Sequence, residues 1–306
     1  MSEPFEFGLG PAGLLGTRTA AQWRELARRA EGSGYTALCL GDHLDERAAP
    51  APVAVAIAEA TTHLRVGVHV YANDFRHPLL LVREINTTAM LLGGRFDAGI
   101  GAGWMRADYD RIQLRFDGPG LRIDRLAEGA ELLRRSFVEE SVTSEGVHYS
   151  VRNMPGRTLL GDAPSTRLVM GGGGDRMLAL AGRLADVVSV NVRLDTGRLG
   201  PERSVTATEA ATDAKLGVVR TAAGDRVPVL QVELHYVEVT NDYRSALDRA
   251  SAEIGLPPDE AARSPHVLVG SARQIRETLA ERHERYGFSY FCMSAAHLDA
   301  FAPVLA

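Results

Sequence analysis

A histidine and an aspartate stand side by side where the second predicted strand ends. That strand covers residues 35–40, and Gly41-Asp42-His43 follows it. The unperturbed pKa of a histidine lies near neutrality, so His43 could give a proton to a bound molecule or take one from it. Asp42 could orient the imidazole. The structural alternative is that Asp42 caps the following turn and His43 is merely solvated.

Four consecutive glycines, 171–174, follow another predicted strand, and Asp175-Arg176 then opens a helix. Glycine lets the backbone approach an anion closely, and a helix N-terminus adds free N–H groups and a partial positive charge. The segment therefore predicts a phosphate cradle, with a flexible strand–helix turn as the alternative. It is not a P-loop, because no Gly-Lys-Ser/Thr sequence follows.

The segment 99–104, Gly-Ile-Gly-Ala-Gly-Trp, also follows a strand, but its spacing differs from the dinucleotide fingerprint. We interpret it as a turn in which small residues leave room for a flat ligand. Trp104 would form a wall of that pocket, or else a core residue. Arg76, just before a predicted helix at 79–92, could bind an anion, although the sequence alone favours a structural turn containing Pro78.

Other common catalytic patterns are missing from the sequence. There is no H-E-x-x-H, C-x-x-C or G-x-S-x-G motif, so the sequence predicts neither a metal site nor a common serine hydrolase. Cys39 and Cys292 lie in apolar, strand-like runs and are expected to be reduced core thiols, which suits a reducing cytoplasm.

Composition limits the partners of this chain of 306 residues. A net charge of -5 argues against broad nucleic-acid binding, which needs a basic face. The longest apolar run, near 51–60, is far too short to cross a bilayer, and the N-terminus has no targeting pattern. We therefore expect a cytoplasmic protein that binds neither nucleic acid nor a membrane, and the net charge says nothing specific about a small-molecule site.

Strand-like and helix-like runs alternate along the chain, which predicts a parallel α/β sheet. Eight such units in about three hundred residues favour a closed (β/α)8 TIM barrel, a single domain over residues 1–306. Two insertions, 106–164 and 191–228, should rise over the carboxyl face, where barrels bind ligands. The predicted strands are 5–9, 35–40, 65–70, 96–100, 168–170, 187–190, 229–239 and 288–293.

Taken together, these motifs resemble the luciferase-like flavin oxidoreductase family, especially its branch that depends on the deazaflavin coenzyme F420. The resemblance covers nearly the whole chain, and it rests on the order and spacing of many short motifs. Those motifs are 41–43, Arg76-His77-Pro78, 92–96, 99–104, 122–126, Val142-Thr143 with 146–149 in a small hairpin, the four glycines, 181–183 with Ala185-Asp186, and 268–271.

The resemblance implies a cofactor ring at the carboxyl face of the barrel, with F420 as the cofactor and FMN as the alternative. It also implies a non-prolyl cis peptide near His69-Val70 beneath the ring. Asn73 and Arg76 would hold polar edges of the ring or tail. The full set of cofactor-binding residues expected is His69, Val70, Asn73, Arg76, Gly101, Gly103, Gly172, Gly173, Gly174 and Asp175.

The activity that the resemblance implies is hydride transfer between the ring and a small organic substrate, in specialised metabolism. His43 would move the proton, and Asp42 would tune the histidine. The substrate would be contacted by Trp104, Asn191 and the loops 148–165 and 195–225. Sugar-phosphate dehydrogenases of the family have a glutamate acid where this chain has Trp104. This difference favours reduction of an unsaturated or imine-like substrate, or a cofactor-assisted step without that acid.

Two other functions and an assembly stay open at this stage. The barrel could be an FMN-dependent monooxygenase, or a barrel without redox function that binds a ligand or serves biosynthesis. Family habit also suggests a homodimer, through helix faces at 79–92 and 126–133.

Overall fold

Strands and helices follow one another along the chain in the computed structural model. The structure describes residues 5–14, 16, 18–45, 48–159, 166–194 and 201–306. Its strands are β1 (Glu6–Gly10), β2 (Ala37–Leu40), β3 (Arg65–Ala72), β4 (Phe96–Gly101), β5 (Ser141–Glu145), β6 (Ser150–Pro155), β7 (Arg167–Gly172), β8 (Val187–Val190), β9 (Val229–Leu234), β10 (Tyr236–Val239), β11 (Val267–Gly270) and β12 (Phe288–Ser294).

The helices cover the outside of the strands. They are α1 (Ala20–Gly32), α2 (Pro50–Ala58), α3 (Pro78–Leu91), α4 (Arg106–Arg111), α5 (Pro119–Ser136), α6 (Asp175–Leu184), α7 (Glu209–Ala223), α8 (Tyr243–Ile254), α9 (Pro258–Arg263), α10 (Ala272–Tyr286) and α11 (Leu298–Leu305). Within the described ranges, none of them is long and apolar enough to cross a membrane.

Eight parallel strands close into a barrel in the order β1-β12-β9-β8-β7-β4-β3-β2. Each successive strand of the barrel pairs in parallel with its neighbour, which requires a crossover connection, and the helices supply it. The predicted (β/α)8 fold is therefore confirmed. Because all strands run the same way, their carboxyl ends meet at one rim, where the candidate site must be sought.

The helices pack through one apolar face each. In α1, Trp23, Ala27 and Ala30 are buried at the three-to-four spacing that the sequence shows, and Thr19 with Gln22 forms a capping box at its start. Burial of such faces against the strands stabilises the outer core at about 25 cal/mol for each Å² of apolar surface.

An ion-pair cluster closes the amino-terminal end of the barrel. Arg167 of β7 contacts both Glu6 of β1 (2.8 Å) and the fully buried Asp97 of β4 (2.7 Å), and Arg65 of β3 also contacts Asp97 (2.6 Å). Strands β1 and β7 lie on opposite sides of the barrel, so the Arg167–Glu6 pair spans its interior. These side chains close the amino-terminal end of the barrel, so a ligand would bind at the carboxyl end.

The predicted seventh strand, 229–239, is wrong in its second half. The chain leaves the barrel at His235, whose backbone N–H donates to the His266 carbonyl (2.8 Å), as does that of Tyr236 (3.2 Å). The second half, β10, then pairs with β11 in a separate two-stranded parallel sheet. The alternating apolar pattern is the same in both halves, which is why the sequence predicts a single strand.

The insertions lie where the sequence places them, after β4 and after β8. The first contains α4, α5 and the antiparallel hairpin β5–β6, which confirms the hairpin predicted there. The second contains α7. Parts of the predicted substrate wall, residues 160–165 and 195–200, lie outside the described residues.

Candidate active site

His43 is held by a buried carboxylate at the carboxyl end of β2. Its Nδ1 lies 2.6 Å from Oδ2 of Asp108, and the other carboxylate oxygen of Asp108 accepts from the Leu44 backbone N–H at 3.0 Å. Asp108 is 1% exposed and stands in the first turn of α4. An ionised carboxylate only accepts, so this contact places a proton on Nδ1 and leaves Nε2 to face a ligand.

The expectation that Asp42 orients His43 is wrong. The carboxylate of Asp42 accepts from Nη2 of Arg76 (2.7 Å) and from the Ala72 backbone N–H (3.1 Å). Arg76 also lies over the ring of Tyr71, 5.1 Å from its centre. Asp42 thus ties the loop after β2 to the end of β3, because its two oxygens accept from the last residue of β3 and from Arg76, which follows that strand. Its role beside His43 is structural support.

Trp104 forms a wall beside His43. The two rings meet edge to face, with centres 5.6 Å apart. The turn before Trp104 is fixed by Gly103, which has a φ of 72° and packs against the hydroxyl of Tyr109. Arg122 donates to the Gly103 carbonyl. The predicted wall and the predicted histidine are therefore brought together by the structure.

Small residues line the strand ends next to this pair. The Val70 side chain packs onto Gly99 and Gly101 of β4, at positions where a Cβ on either glycine would collide with it. The peptide bond between His69 and Val70 is cis, at the position that the family resemblance implies. The glycines of β4 are needed here for close packing of β3 onto β4.

The turn from β7 into α6 has the features of an anion cradle. Gly174 is the N-cap residue of α6, and no side chain caps the first N–H groups of that helix. A Cβ on Gly174 would meet nothing within 4 Å, whereas one on Gly173 would collide with the backbone of Val192 and Arg193. Gly173 therefore allows close approach of the β8 loop, and the helix N-terminus stays open. Asp175 is exposed in its first turn.

Asn73 does not lie in the opening. It is 1% exposed, its amide donates to the Tyr149 hydroxyl of the hairpin (2.8 Å), and its carbonyl oxygen packs against Gly129 of α5. The neighbouring Asp74 pairs with Arg125 of α5 (2.7 Å). These residues bind the chain after β3 to the first insertion, so the amide predicted to contact a cofactor is used within the protein.

Asn191 is part of a second polar cluster, at the carboxyl end of β8. Its side-chain oxygen accepts from the Val192 backbone N–H (2.7 Å) and contacts Nε2 of His235 (2.8 Å). Nζ of Lys215 donates to the backbone carbonyls of Asn191 (2.7 Å) and Thr206 (2.6 Å). Burial lowers the pKa of Lys215 to about 8. The side-chain oxygen of Asn191 already has two partners within the protein, and its contact with a substrate remains a prediction.

A third polar cluster lies inside the barrel. Sγ of Cys39 lies 3.8 Å from Nε2 of His69 and 3.5 Å from the Tyr290 hydroxyl, and Cys292 completes the group. Both thiols are free and buried, as the sequence predicts. The hydrogen bond with Cys292 lowers the pKa of Cys39 against the effect of burial, which raises it. Burial raises the pKa of Glu233, which neighbours Cys292, to about 7.

Little in the sequence points to these additional residues. Asp108 lies in a short helix inside an insertion, 65 positions after His43, so spacing could not link the two. Glu233 lies in the middle of the run predicted as one strand, whereas the structure ends β9 one residue later, at Leu234. A shorter seventh strand would have placed Glu233 among the residues at the carboxyl ends.

A closed parallel barrel with a histidine–carboxylate pair, an aromatic wall and an open helix N-terminus at its carboxyl rim defines a class of ligand-binding α/β-barrel enzymes. The model of one family, luciferase-like monooxygenase, matches residues 6–290. The chain belongs to this family, as its motifs predicted.

Individual relatives agree with that assignment. The F420-dependent glucose-6-phosphate dehydrogenase of Microbacterium testaceum (strain StLB037) is 26% identical over 267 residues, which are 83% of this chain and 75% of that protein. Several other curated relatives match across about half of their own length.

Two solved structures show the same fold. An F420-dependent secondary alcohol dehydrogenase in complex with an F420–acetone adduct has a TM-score of 0.74 at 17% identity, with 98% of both chains covered. The oxygenating constituent of 3,6-diketocamphane monooxygenase from Pseudomonas putida, in complex with FMN, has a TM-score of 0.68 at 16% identity, with 98% of this chain and 95% of that chain covered.

Proposed function

We propose that this chain is an F420-dependent oxidoreductase that transfers a hydride between the deazaflavin and a small organic substrate at the carboxyl rim. The observation that carries the proposal is the His43–Asp108 pair beside Trp104, which combines a proton-transfer group with an aromatic wall. The names of the curated relative from Microbacterium testaceum and of the secondary alcohol dehydrogenase structure, both F420-dependent, support the choice of cofactor.

The residues of the rim suit a flat cofactor that carries a phosphate. The first turn of α6 has no side-chain cap, and the space at Gly174 is open, so its N–H groups are available to an anion. Gly172, Gly173 and Gly174 would hold that phosphate, while His69, Val70 and the β4 end at Gly101 would lie along the ring. When bound, F420 supplies a ring carbon that gives or accepts the hydride.

His43 would hold or move the proton that accompanies the hydride. Asp108 fixes Nδ1, which leaves Nε2 as the nitrogen that meets the substrate. His43 is one-fifth exposed, so a ligand in the opening can reach it while most of the ring stays packed. Trp104 would exclude water on one side of the reacting atoms.

The substrate proposed is unsaturated or imine-like, and the reaction belongs to specialised metabolism. Trp104 offers no acid at the position where sugar-phosphate dehydrogenases of the family have a glutamate, which argues against a sugar phosphate. The described parts of the two insertions, 148–159 and 201–225, would form the substrate wall together with Trp104.

An FMN-dependent monooxygenase is the second candidate. The name of the matched family and the diketocamphane monooxygenase structure with FMN support it. Both cofactors present a ring and a phosphate, so the same cradle would serve either one. A barrel without redox function is less well supported, because the glycine turn and the open start of α6 are intact.

We also propose a homodimer in the cytoplasm. Of the two helix faces that the sequence suggests, the one on α5 is buried at Leu126 and Leu133. The other, on α3, exposes Leu80 (54%), Met90 (45%) and Leu91 (59%). These exposed apolar side chains at the two ends of α3 are the part of the surface that we propose meets a second copy of the chain. Sedimentation equilibrium would test the assembly.

The test of the cofactor is a titration of the purified protein with F420 and, separately, with FMN, followed by absorbance and fluorescence. Saturable binding of F420 in preference to FMN supports the proposal. Preference for FMN, with oxygen uptake when a reductase supplies electrons, supports the monooxygenase instead. Binding of neither cofactor contradicts both.

A further inference from the structure

Two cysteines and a histidine from three strands point to one place inside the barrel. Cys39 is on β2, His69 on β3 and Cys292 on β12. Their ligand atoms, two Sγ and one imidazole nitrogen, all lie within 4.8 Å of one another. Cys39 and Cys292 are both fully buried.

The strands and their glycines make room for this convergence. Gly67 of β3 pairs with Cys39, and a Cβ there would lie 3.2 Å from its Sγ and 3.1 Å from Nε2 of His69. Gly10 of β1 has the same function on the other side, because a Cβ there would lie 3.3 Å from Sγ of Cys292. A side chain at Gly67 would crowd Cys39 and His69, and one at Gly10 would crowd Cys292.

The spacing of Cys39 and His69 is close to that of two ligands of one zinc ion. Zinc binds thiolate sulfur at about 2.3 Å and imidazole nitrogen at about 2.0–2.1 Å, so a tetrahedral site separates sulfur and nitrogen ligands by roughly 3.6 Å. The distance between Sγ of Cys39 and Nε2 of His69 is 3.8 Å. Small side-chain rotations would bring all three atoms to bonding distance.

We propose that Cys39, Cys292 and His69 form a Cys2His site for a zinc-class divalent cation inside the barrel. Binding replaces the two thiol protons, which go to solvent, and the two thiolates balance the charge of the cation. The ion-pair cluster at the amino-terminal end is separately balanced, with two arginines against Glu6 and Asp97. A site of this kind adds no net charge to the barrel interior.

Glu233 is a carboxylate that neighbours Cys292 of this site, and it bears on the fourth coordination position. It pairs in register with Cys292, and a Cβ on Gly10 would lie 3.4 Å from its Oε1 and 3.3 Å from Sγ of Cys292. Its carboxylate is not among the ligand atoms that lie within 4.8 Å of one another, so its role would be to accept a hydrogen bond from a water bound at the fourth position. His69 would be shared with the ring site proposed above, but the test of the metal site needs no cofactor.

The test is the metal content of untagged protein purified without chelator and then incubated with zinc and desalted. We expect roughly one zinc per chain, because a site with two thiolate ligands binds tightly at neutral pH. Cys39→Ser and Cys292→Ser should each lose most of it. Tyr290→Phe is the matched control, since it removes a hydroxyl 3.5 Å from Sγ of Cys39 and leaves the three ligands in place.

Cobalt(II) substitution of the wild-type protein keeps the proposal testable if the serine variants do not fold. A tetrahedral site with two thiolates gives intense visible bands and a sulfur-to-cobalt charge-transfer band in the near ultraviolet. Metal-free wild-type protein after incubation, cobalt without the charge-transfer band, serine variants that keep their zinc, or a Cys39–Cys292 disulfide found by mass spectrometry in the freshly purified protein would each overturn it.

Discussion

At the scale of single residues, the site depends on two carboxylate contacts, Asp108 with His43 and Asp42 with Arg76. Asp42 is adjacent to His43 in sequence, yet it is used by Arg76 and Ala72, while Asp108 reaches the imidazole from an insertion. Asp42 and His43 follow β2, which ends at Leu40, and in this loop the two neighbouring side chains contact different segments of the chain. The sequence singles out His43 as a candidate, whereas nothing in the sequence points to Asp108 as the residue that contacts it.

Asp108→Asn should change the tautomer of His43. The Leu44 N–H donates to Oδ1 of Asp108, so the amide oxygen of the asparagine should keep that position and turn its NH2 group toward Nδ1 of His43. Nδ1 would then have to accept, which moves the proton of the neutral ring to Nε2. The ¹⁵N chemical shifts of labelled histidine report this change directly.

Asp110→Asn is the control for that experiment, because Asp110 is an exposed residue of the same helix. It should leave the shifts of His43 as in the wild type. Identical His43 tautomers in the wild type and in Asp108→Asn would show that Asp108 does not set the proton on this ring.

Lys215 should give the stability of the protein a pH dependence on the alkaline side. Burial lowers its pKa from 10.5 to about 8, so between these values the unfolded chain holds a proton that the folded chain has lost. Stability from this group therefore rises with pH across that window. Lys215→Met lacks this titrating group. The difference in Tm, wild type minus variant, should therefore increase from about pH 7.5 to about pH 10.

A difference in Tm that stays constant or shrinks over this pH range would contradict the lowered pKa. Comparing the difference at each pH removes the contribution of groups that both proteins share. The carbonyls of Asn191 and Thr206, which lose their donor in the variant, lower its stability by the same amount at every pH.

At the scale of elements, the strands are positioned by polar contacts at their ends as well as by apolar packing. Asp97 joins the starts of β3, β4 and β7, and Arg167 extends this link to β1. Apolar runs predict where each strand lies, because their residues must be buried on both faces. They do not predict where the run 229–239 leaves the barrel, since that depends on backbone hydrogen bonds to His266.

Asp97→Ala should destabilise the barrel strongly. The variant leaves Arg65 and Arg167 facing each other without the buried carboxylate between them. Removing one partner of a buried ion pair typically costs about 3–5 kcal/mol. Urea unfolding followed by circular dichroism measures the change in the free energy of unfolding.

Asp299→Ala is the matched control, because it breaks the exposed pair between Arg29 and Asp299. It should leave the free energy of unfolding nearly unchanged, as exposed pairs contribute little. Equal effects of the two substitutions would mean that the Asp97 cluster does not stabilise the barrel end.

At the scale of the whole molecule, alternation of strands and helices was enough to predict a closed barrel and the side on which its insertions lie. The glycine turn at 171–174 could also be placed from sequence, because it follows a strand and opens a helix. Contacts between distant segments could not be predicted from sequence. Cys39 and Cys292 are an example, because the barrel brings them together from its second and last strands. Closure of the barrel creates both the rim site and the interior cluster.

The most direct test of the account is the affinity of the protein for F420, measured by titration on the wild type and on Gly173→Ala. A Cβ at Gly173 collides with the backbone at Val192, so the cradle must shift, whereas Gly217→Ala on α7 meets open space and serves as control. The account predicts saturable binding to the wild type and to Gly217→Ala, and at least about tenfold weaker binding, or about 1.4 kcal/mol, to Gly173→Ala. Wild-type protein that does not bind F420, or a Gly173→Ala variant that binds it as tightly as the wild type, would contradict it.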